Sequence, residues 1–299
     1  MDRLQAMSAF VTVVDCGGFA SAARQLGLSP PVVTRAVAEL EDRLGLRLLT
    51  RTTRVVRVTE AGARFADDCR RILAEIDEAE VAASGTHAAA RGTLVLTAPV
   101  LFGHLYVMPL LVDYLRRCPE VDAQCLFVDR IVNLDDEGVD VAVRIGELPD
   151  SSLQAIRVGR VRQVLVASPG YLQTHGIPDR PAALAQHTVI ARGSAAPEVD
   201  WHFVQGGKTA AQRLRARLRT SSNDSAIAAA VAGFGITRLL SYQVAEHLRA
   251  GQLQVVLEDC ETPALPIHVV HREGRRATQK VRGFIDLAVD ALRAHPALR

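Results

Sequence analysis

Apolar positions recur at helical spacing in the N-terminal part of the chain and predict three helices there. The first covers residues 2–15. A short alanine-rich helix follows, then a tight turn at Gly27-Leu28-Ser29 and a longer helix, for which Ser29 is a suitable N-cap. The predicted apolar stripes are Leu4, Met7, Val11 and Val14 in the first helix and Val33, Val37, Leu40 and Leu44 in the longer one. A short helix, a tight turn and a longer helix are typical of a helix-turn-helix.

Residues 47–58 read RLLTRTTRVVRV and predict a β-hairpin with a basic edge. β-branched residues alternate with arginines, and no acidic residue interrupts them. Directly after a helix-turn-helix, such a hairpin predicts the winged form of the motif, in which Arg51 and Arg54 contact phosphates or the minor groove. An ordinary helical hairpin followed by a solvated edge strand is the alternative. The two features together favour DNA binding.

A long helix is predicted from Thr59, which can cap it, to about residue 88. Its apolar residues recur at alternating intervals of four and three residues, which is the spacing of a heptad seam. The seam residues are Phe65, Cys69, Ile72, Ile76, Ala79 and Ala83. A solvent-facing helix does not need such a seam, so we interpret it as a dimerisation surface. Packing within one domain is the alternative. Residues 84–92 contain Gly85 and Gly92 and predict a hinge.

From residue 92 onward, short apolar runs alternate with helical stretches and predict an α/β domain with a parallel sheet. Residues 92–160 and 163–267 each predict a small α/β unit. We expect a short helix at residues 130–137. A later helix starts after Ser222-Asn223 and ends at Gly233 and Gly235, and the next predicted element is a helix at residues 242–249.

Composition narrows the possible functions. The net charge is only +2, so the basic charge acts locally, as in residues 47–58. No apolar run approaches the roughly 20 residues of a membrane span, and the N-terminus lacks the layout of a signal peptide. We therefore expect a cytosolic protein without a membrane partner. The five cysteines form no C-x-x-C pair, which favours buried free thiols and leaves a thiol redox sensor as the alternative.

Motifs for catalysis are missing. The sequence contains no G-x-S-x-G, H-E-x-x-H, P-loop or complete G-x-G-x-x-G, so we predict no enzyme, no cofactor and no metal site. Three classes stay open: a ligand-responsive DNA-binding regulator, an enzyme with an N-terminal helical domain, and a solute-binding module whose N-terminus only dimerises. The arginine-rich hairpin weighs against the third class, because dimerisation does not need it.

Several motifs resemble those of LysR-type transcriptional regulators over essentially the whole chain. They are Leu28-Ser29-Pro30-Pro31-Val32-Val33-Thr34-Arg35, Leu48-Leu49-Thr50-Arg51-Thr52-Thr53-Arg54, Val58-Thr59-Glu60-Ala61-Gly62, Gly92-Thr93-Leu94, residues 137–146 and 166–172, and Gly233-Phe234-Gly235-Ile236. Two positions depart from the family pattern. Pro30 stands where a glutamine often reads a base, and Ala20 stands where a serine or threonine often caps the second helix.

The resemblance implies a winged helix-turn-helix (1–58), a dimerising linker helix and hinge (59–91) and an effector domain (92–299). That domain is expected to be α/β, with two subdomains like a periplasmic binding protein: 92–162 with 268–293, and 163–267. The partners implied are double-stranded operator DNA, a small-molecule effector and a second copy of the chain in a homodimer, with a tetramer expected from the family. The expected DNA contacts are Ser29, Pro30, Pro31, Thr34, Arg35, Arg51, Thr52, Thr53 and Arg54.

The effector is expected between the two subdomains, at strand ends. The expected cleft residues are Pro99, Val100, Leu101, Phe102, Arg144, Gly146, Arg192, Asn223 and Gly235. In many relatives the turn after the first strand holds a carboxylate with hydroxyls and main-chain N–H groups, but here Pro99 and Leu101 occupy those positions. This predicts a less polar effector, or a carboxylate held from elsewhere. Surface ion pairs are the alternative for Arg144 and Arg192.

Overall fold

The computed structural model describes residues 2–51, 56–83, 90–134, 136–150, 153–193, 196–272 and 278–299. The chain divides into two compact units, Met1–Ala89 and Ala90–Arg299. We describe each unit by itself.

The first unit is a helical bundle with a small hairpin. Its elements are α1 (Arg3–Cys16), α2 (Phe19–Leu26), α3 (Pro30–Leu44), β1 (Leu49–Arg51), β2 (Val56–Val58) and α4 (Glu60–Ala83). The predicted helix-turn-helix and basic hairpin are confirmed. The buried face of α1 differs from the expected stripe: Met7, Phe10 and Val13 are fully buried, whereas Val11 and Val14 are half-buried. Because α1 packs against α2, α3 and α4, it buries a wider face than one stripe.

Glu41 joins α3 to the base of the hairpin from inside the core. Its side chain is 2% exposed. Oε1 accepts hydrogen bonds from the backbone N–H groups of Leu48 (2.8 Å) and Leu49 (3.0 Å), and Oε2 lies 2.9 Å from Arg47 Nη1. Burial raises the pKa of this carboxyl, but the hydrogen bonds from Leu49, Arg47 and Leu48 outweigh burial and lower the pKa below its usual value.

The peptide of Leu48 is also fixed from the other side, by the start of α4. Its carbonyl accepts the Thr59 N–H at 3.0 Å, and the Thr59 hydroxyl accepts the Gly62 N–H at 2.9 Å, as predicted for a cap. A Cβ at Gly62 would lie 2.0 Å from the Leu48 carbonyl oxygen, so only glycine permits this approach. The hairpin base is therefore held between α3 and α4.

The second unit contains two β-sheets, which define two lobes. Both sheets are mixed, not parallel as predicted, because antiparallel strands flank the parallel ones. Lobe I has the sheet order β4-β3-β5-β13-β6, and lobe II has the order β12-β7-β11-β8-β10-β9. The lobe I strands are β3 (Gly92–Ala98), β4 (Val121–Phe127), β5 (Val141–Ile145), β6 (Gln154–Val161) and β13 (Leu265–His271). The lobe II strands are β7 (Gln163–Ala167), β8 (Val189–Arg192), β9 (Glu198–Gln205), β10 (Lys208–Thr220), β11 (Ile236–Leu240) and β12 (Gln254–Val256).

Helices cover both sheets. They are α5 (Val100–Phe102), a π-helical stretch (Gly103–Val107), α6 (Met108–Arg117), α7 (Pro169–His175), α8 (Asn223–Val231), α9 (Ser241–Arg249) and α10 (Gln279–Ala294), with short 3-10 helices at Pro181–Gln186, Glu258–Cys260 and Pro296–Leu298. The chain crosses from lobe I to lobe II at Arg162 and returns between Val256 and Leu265, slightly before the predicted return near residue 267. The C-terminal α10 then packs on β6 and α6 of lobe I.

Two expectations about elements were wrong. The described part of residues 130–137 forms turns, not a helix, because Val132 and Leu134 bury their side chains in a cluster with Val139, Ala142 and Val270. The strand β11 was not predicted, although it lies in the middle of the lobe II sheet between β7 and β8. It is five residues long and starts directly after a glycine turn. So short a run of apolar residues does not distinguish the period of a strand from that of the flanking helices.

Among the described helices, none combines the length and the apolar character that crossing a membrane requires. The same residues contain no group of three or more His, Cys, Asp or Glu arranged to hold a metal ion.

The contacts of Glu41 generate a stability prediction. Glu41→Ala leaves two buried N–H groups without an acceptor, so we expect the first unit to lose about 2–5 kcal/mol of unfolding free energy. Because the only tryptophan, Trp201, lies in the second unit, far-UV circular dichroism should record the loss while Trp fluorescence stays unchanged. Asp42→Ala, at the exposed neighbouring position, should cost less than about 0.5 kcal/mol.

The lowered pKa of Glu41 determines how its contribution to the stability of the first unit changes with pH. Its contribution is fully present above the ordinary value of 4.5 and is lost as pH falls through the lower folded-state value. Below about pH 4.5, the free energy of unfolding of Glu41→Gln should therefore decrease less steeply with falling pH than that of the parent chain. Identical acid profiles for the two proteins would contradict this assignment.

Candidate functional site

The outward face of α3 carries most of the predicted DNA contacts. Arg35 is exposed and Thr34 is half-exposed, while Pro30 and Pro31 occupy the exposed first turn. Ser29 stands at the N-cap position, but within the described part of this unit its side chain makes no capping hydrogen bond, contrary to expectation. The opposite face of α3 is buried, which fixes the direction in which Arg35 points.

Two exposed apolar residues extend this surface. Val32 is 41% exposed and lies one turn before Arg35, and Leu28 is 40% exposed in the preceding turn. Neither residue was among the predicted contacts, although the spacing of three residues between Val32 and Arg35 is visible in the sequence. Apolar side chains on such a helix can contact thymine methyl groups in the major groove.

The hairpin beside α3 is only partly described. Strand β1 ends at Arg51, whose backbone pairs with Val56. The predicted contacts Thr52, Thr53 and Arg54 lie outside the described residues, as does the side chain of Arg51. Arg47, at the base, is paired with Glu41.

The predicted dimer seam on α4 is partly used inside the first unit. The Phe65 ring lies 5.9 Å from the Phe10 ring, Cys69 is completely buried, and Ile72 packs against the same core. We therefore correct the assignment of Phe65 and Cys69: they attach α4 to the helical core. Ile76 is half-buried, and the side chains of Ala79 and Ala83 lie outside the described part of α4.

The surroundings of two thiols, the buried Cys69 and the half-buried Cys125, disfavour the thiolate form. Burial raises the pKa of Cys69 to about 11, and it also raises the pKa of Cys125. Because the thiolate is the reactive form, both side chains stay protonated near neutral pH. The alternative of a thiol redox sensor is disfavoured at these two positions.

A cavity of about 1030 Å³ lies between the two lobes of the second unit. It is lined from lobe I by Pro99 and Arg144 and from lobe II by Arg192 and Asn223, all four of which the sequence analysis predicted. The volume is at the upper end of the range for sites that enclose small molecules.

Five predicted cleft residues do not line this cavity. Leu101 and Phe102 are buried in an apolar core to which both lobes contribute, and the Phe102 ring lies 5.3 Å from the ring of Tyr242. Val100 is exposed, and its N–H is bonded to Asp129. Gly146 donates its N–H to the Pro266 carbonyl, and Gly235 is buried where a Cβ would lie 2.3 Å from the Thr188 carbonyl oxygen. A bulky residue at Leu101 would therefore disturb the core and is not a clean test of the cleft.

Asp129 connects the two lobes across the cavity, and no local pattern in the sequence predicts this role. It follows strand β4 of lobe I. Its Oδ1 accepts the Val100 N–H at 3.0 Å, and its Oδ2 lies 2.5 Å from Nη2 of Arg192, which ends β8 in lobe II. Both side chains are partly exposed, at 21% for Asp129 and 35% for Arg192.

Two further arginines face the cavity without such a partner. Arg144 of β5 donates to the carbonyl of Val132, and Arg238 of β11 donates to Oε1 of Gln163. Burial lowers the pKa of both guanidinium groups. In the described ranges, no carboxylate oxygen lies within 4.0 Å of either group.

Comparisons with known proteins agree along the whole chain. The family model described as "Bacterial regulatory helix-turn-helix protein, lysR family" matches residues 4–63, and "LysR substrate binding domain" matches residues 87–293. An uncharacterised HTH-type transcriptional regulator of Haemophilus influenzae is 32% identical, over 95% of this chain and 99% of its own. An HTH-type transcriptional repressor of Pseudomonas aeruginosa is 34% identical, over 100% of this chain and 95% of its own.

A solved structure shares the fold. The full-length virulence activator AphB of Vibrio cholerae, described as a member of the LTTR family, is 29% identical, with a TM-score of 0.62. The match covers 97% of this chain and 99% of that one.

The ion pair across the cavity gives a second testable prediction. In a double-mutant cycle of Asp129→Ala and Arg192→Ala, we expect a coupling free energy of about 0.5–1 kcal/mol at low salt, because both groups are partly solvated. Urea unfolding followed by Trp201 fluorescence measures it. In 1 M NaCl the coupling should largely vanish. The fully exposed pair Arg249 and Glu246 should couple more weakly, and zero low-salt coupling for the interlobe pair would contradict our interpretation.

Proposed function

The chain belongs to the LysR family of helix-turn-helix transcriptional regulators, and we propose how its two units divide that function. The first unit binds double-stranded operator DNA through α3 and the hairpin. The second unit binds a small-molecule effector in the cavity between its lobes. The observation that carries the proposal is the orientation of α3, which buries one apolar stripe and presents Arg35 outward beside a fixed basic hairpin.

Readout of the operator is assigned to α3. Arg35 can form a bidentate contact with guanine, and Thr34 can bond to a base edge or a phosphate. Pro30 has no side-chain hydrogen bond to offer, so the exposed Val32 and Leu28 supply apolar contacts to thymine methyl groups in its place. Ser29 and Pro31 complete the surface that approaches the groove.

The hairpin is assigned to affinity. The contacts predicted from the sequence are Arg51, Thr52, Thr53 and Arg54, whose side chains can bond to phosphates or enter the minor groove. Such contacts position the protein without reading sequence. The attachment of the hairpin base through Glu41 and Leu48 supports this role, because it holds the start of β1 beside α3.

Dimerisation is assigned to the later part of α4. With Phe65 and Cys69 used inside the first unit, the seam available to a second copy begins at Ile72 and continues through Ile76, Ala79 and Ala83. Two linked heads bind two half-sites with far higher avidity than one. A homodimer is the minimum assembly we propose, and tetramers form through the second unit.

Substitution of Arg35 tests the readout. Arg35→Ala should cost about 1–3 kcal/mol at the operator and relax the sequence preference. Arg51→Ala or Arg54→Ala should instead weaken binding to all sequences alike and reduce the slope of log affinity against log salt by about one. Electrophoretic shifts at several salt concentrations, with Arg117→Ala of the second unit as control, measure both effects. Equal loss of specific and non-specific binding in Arg35→Ala would exclude a base contact.

Substitution of Ile76 tests the assembly. Ile76→Asp places two unpaired charges against each other across an apolar seam, so the dimer and its operator affinity should both weaken. Sedimentation of the variant measures the mass. Arg64→Asp on the exposed side of α4 makes a larger charge change and should leave the mass unaltered. If Ile76→Asp sediments like the parent chain, the seam lies elsewhere.

A further inference from the structure

Side chains tie the two crossings between the lobes to each other. The first crossing is Arg162, between β6 and β7, and the second is the segment 257–264, between β12 and β13. We call the two crossings together the interlobe hinge. Arg162 Nη1 lies 2.5 Å from Oε1 of Glu258 and 3.5 Å from Oε2 of Glu261, both in the second crossing. One position further on, Oε1 of Gln163 accepts a hydrogen bond from the Thr262 hydroxyl at 3.1 Å.

The first crossing is anchored by its backbone, whereas the second is strained. The Arg162 N–H donates to the Ser241 hydroxyl at 3.2 Å, and the Ser241 N–H donates to the Arg162 carbonyl at 2.9 Å, so this crossing stays attached to α9. In the second crossing Leu257 has a φ of 56°, a left-handed conformation that only glycines share among the described residues. A rearrangement of the second crossing would release this strain.

Glu261 is the buried member of the interlobe hinge. Its side chain is 10% exposed, against 63% for Glu258. Within the described ranges, Glu261 Oε1 is enclosed by protein atoms and accepts no hydrogen bond, and the 3.5 Å between Oε2 and Arg162 is long for one. A carboxylate removed from water in this way is disfavoured in its charged form. Burial accordingly raises the pKa of Glu261, Arg162 opposes this effect, and Glu258 adds to it.

One guanidinium, that of Arg162, is the counter-charge for two carboxylates. Glu258 has the shorter contact with it, so the buried Glu261 is the less well compensated of the two. The 3-10 helix Glu258–Cys260 packs against β9. The other charged groups on the adjoining described segments are exposed or, for the last one, bonded to Gln163: Asp259, Glu198, Asp200, His202 and Arg238.

We propose that Glu261 exchanges a proton with solvent as the second crossing rearranges, so that the interlobe hinge responds to pH. In the arrangement described, the buried carboxyl carries the proton and Arg162 stays paired with Glu258. At higher pH Glu261 loses the proton, and its charge favours an arrangement of the second crossing in which the carboxylate reaches water. The significance of this response for regulation rests on the proposed function of the second unit.

The direction of the response follows from proton linkage. Because the pKa of Glu261 is raised in the arrangement described, this arrangement binds more protons than one with a solvated Glu261 at pH values between the ordinary 4.5 and the raised value. Lowering the pH through this window therefore stabilises the arrangement described, and raising the pH destabilises it.

The fluorescence of Trp201 can follow this titration in the full-length protein. Trp201 is the only tryptophan, and it lies in the same apolar cluster as Leu257 and Cys260 of the second crossing. We expect its emission to titrate with a midpoint above 4.5, and this transition to be missing in Glu261→Gln, whose amide stays neutral. Glu258→Gln should lower the midpoint, since it removes a like charge, whereas Arg162→Met should raise it, since it removes the counter-charge.

Amide hydrogen exchange measures the second crossing directly. After correction for the intrinsic pH dependence of exchange, residues 257–264 of the parent chain should be about tenfold better protected below the midpoint than above it, whereas Glu261→Gln should show equal protection. Glu246→Gln is the matched control, because it removes an exposed lobe II carboxylate that is paired with Arg249. It should leave both readouts as in the parent chain.

Three results would overturn the inference. They are a Trp201 titration that persists unchanged in Glu261→Gln, midpoint shifts of the same sign in Glu258→Gln and Arg162→Met, and protection of residues 257–264 that does not depend on pH in the parent chain. The opposite shifts in Glu258→Gln and Arg162→Met decide the matter even if Glu261→Gln does not fold.

Operator binding separates this inference from the proposed function. It is measured for the parent chain and Glu261→Gln over the same pH range. If the hinge titrates as expected and the two proteins bind the operator equally at every pH, the proton site stands and its role in regulation fails. If neither protein binds DNA, the proposed function fails, and the fluorescence and exchange results still decide the inference about Glu261.

Discussion

A single carboxylate, that of Asp129, joins polar groups of both lobes of the second unit. The lobes are connected by two chain crossings, at Arg162 and between Val256 and Leu265, by apolar packing such as that of Phe102 on Tyr242, and by polar contacts across the cavity. Asp129 supplies such a contact by holding the Val100 N–H of its own lobe and Arg192 of the other. Because both side chains are partly solvated, the pair contributes modestly to stability and is sensitive to salt. A modest interlobe contact suits a domain whose closure has to respond to a ligand.

A carboxylate also lies in the first unit, where α3 meets the base of the hairpin, but this carboxylate is buried and not solvated. Glu41 is almost completely buried and has all its contacts satisfied by the hairpin base and Arg47. Losing one partner there leaves uncompensated polar groups in the core, which is far more costly than losing a solvated pair. The base of the DNA-facing hairpin is thus held by buried polar contacts, whereas the polar contact across the cavity is partly solvated.

Most of the architecture was predictable because it is encoded locally. The stripe of α3, the cap at Thr59 and the alternation of strands and helices after residue 92 are local features of the sequence, and most of the elements they predict are present. Prediction failed where the period was too short or the partners were distant. Strand β11 has five residues beside a glycine turn, and residues 130–137 form turns because Val132 and Leu134 bury themselves against strands that are remote in sequence.

The sequence by itself determined the fold class, the two-unit organisation, the outward position of Arg35 and four cavity residues, since periodicity and local motifs state which face of an element is buried. The tertiary structure alone decided which of the nearby candidates face the cavity: the helix after Pro99 turns Leu101 into the core. It also decided the charge balance of the cleft. Asp129 meets Arg192 across 63 positions, and Arg238 meets Gln163 across 75, so no local pattern could pair them. Which arginine has a carboxylate partner and which does not is a property of packing, because ion pairing depends on distance in space and not on distance along the chain.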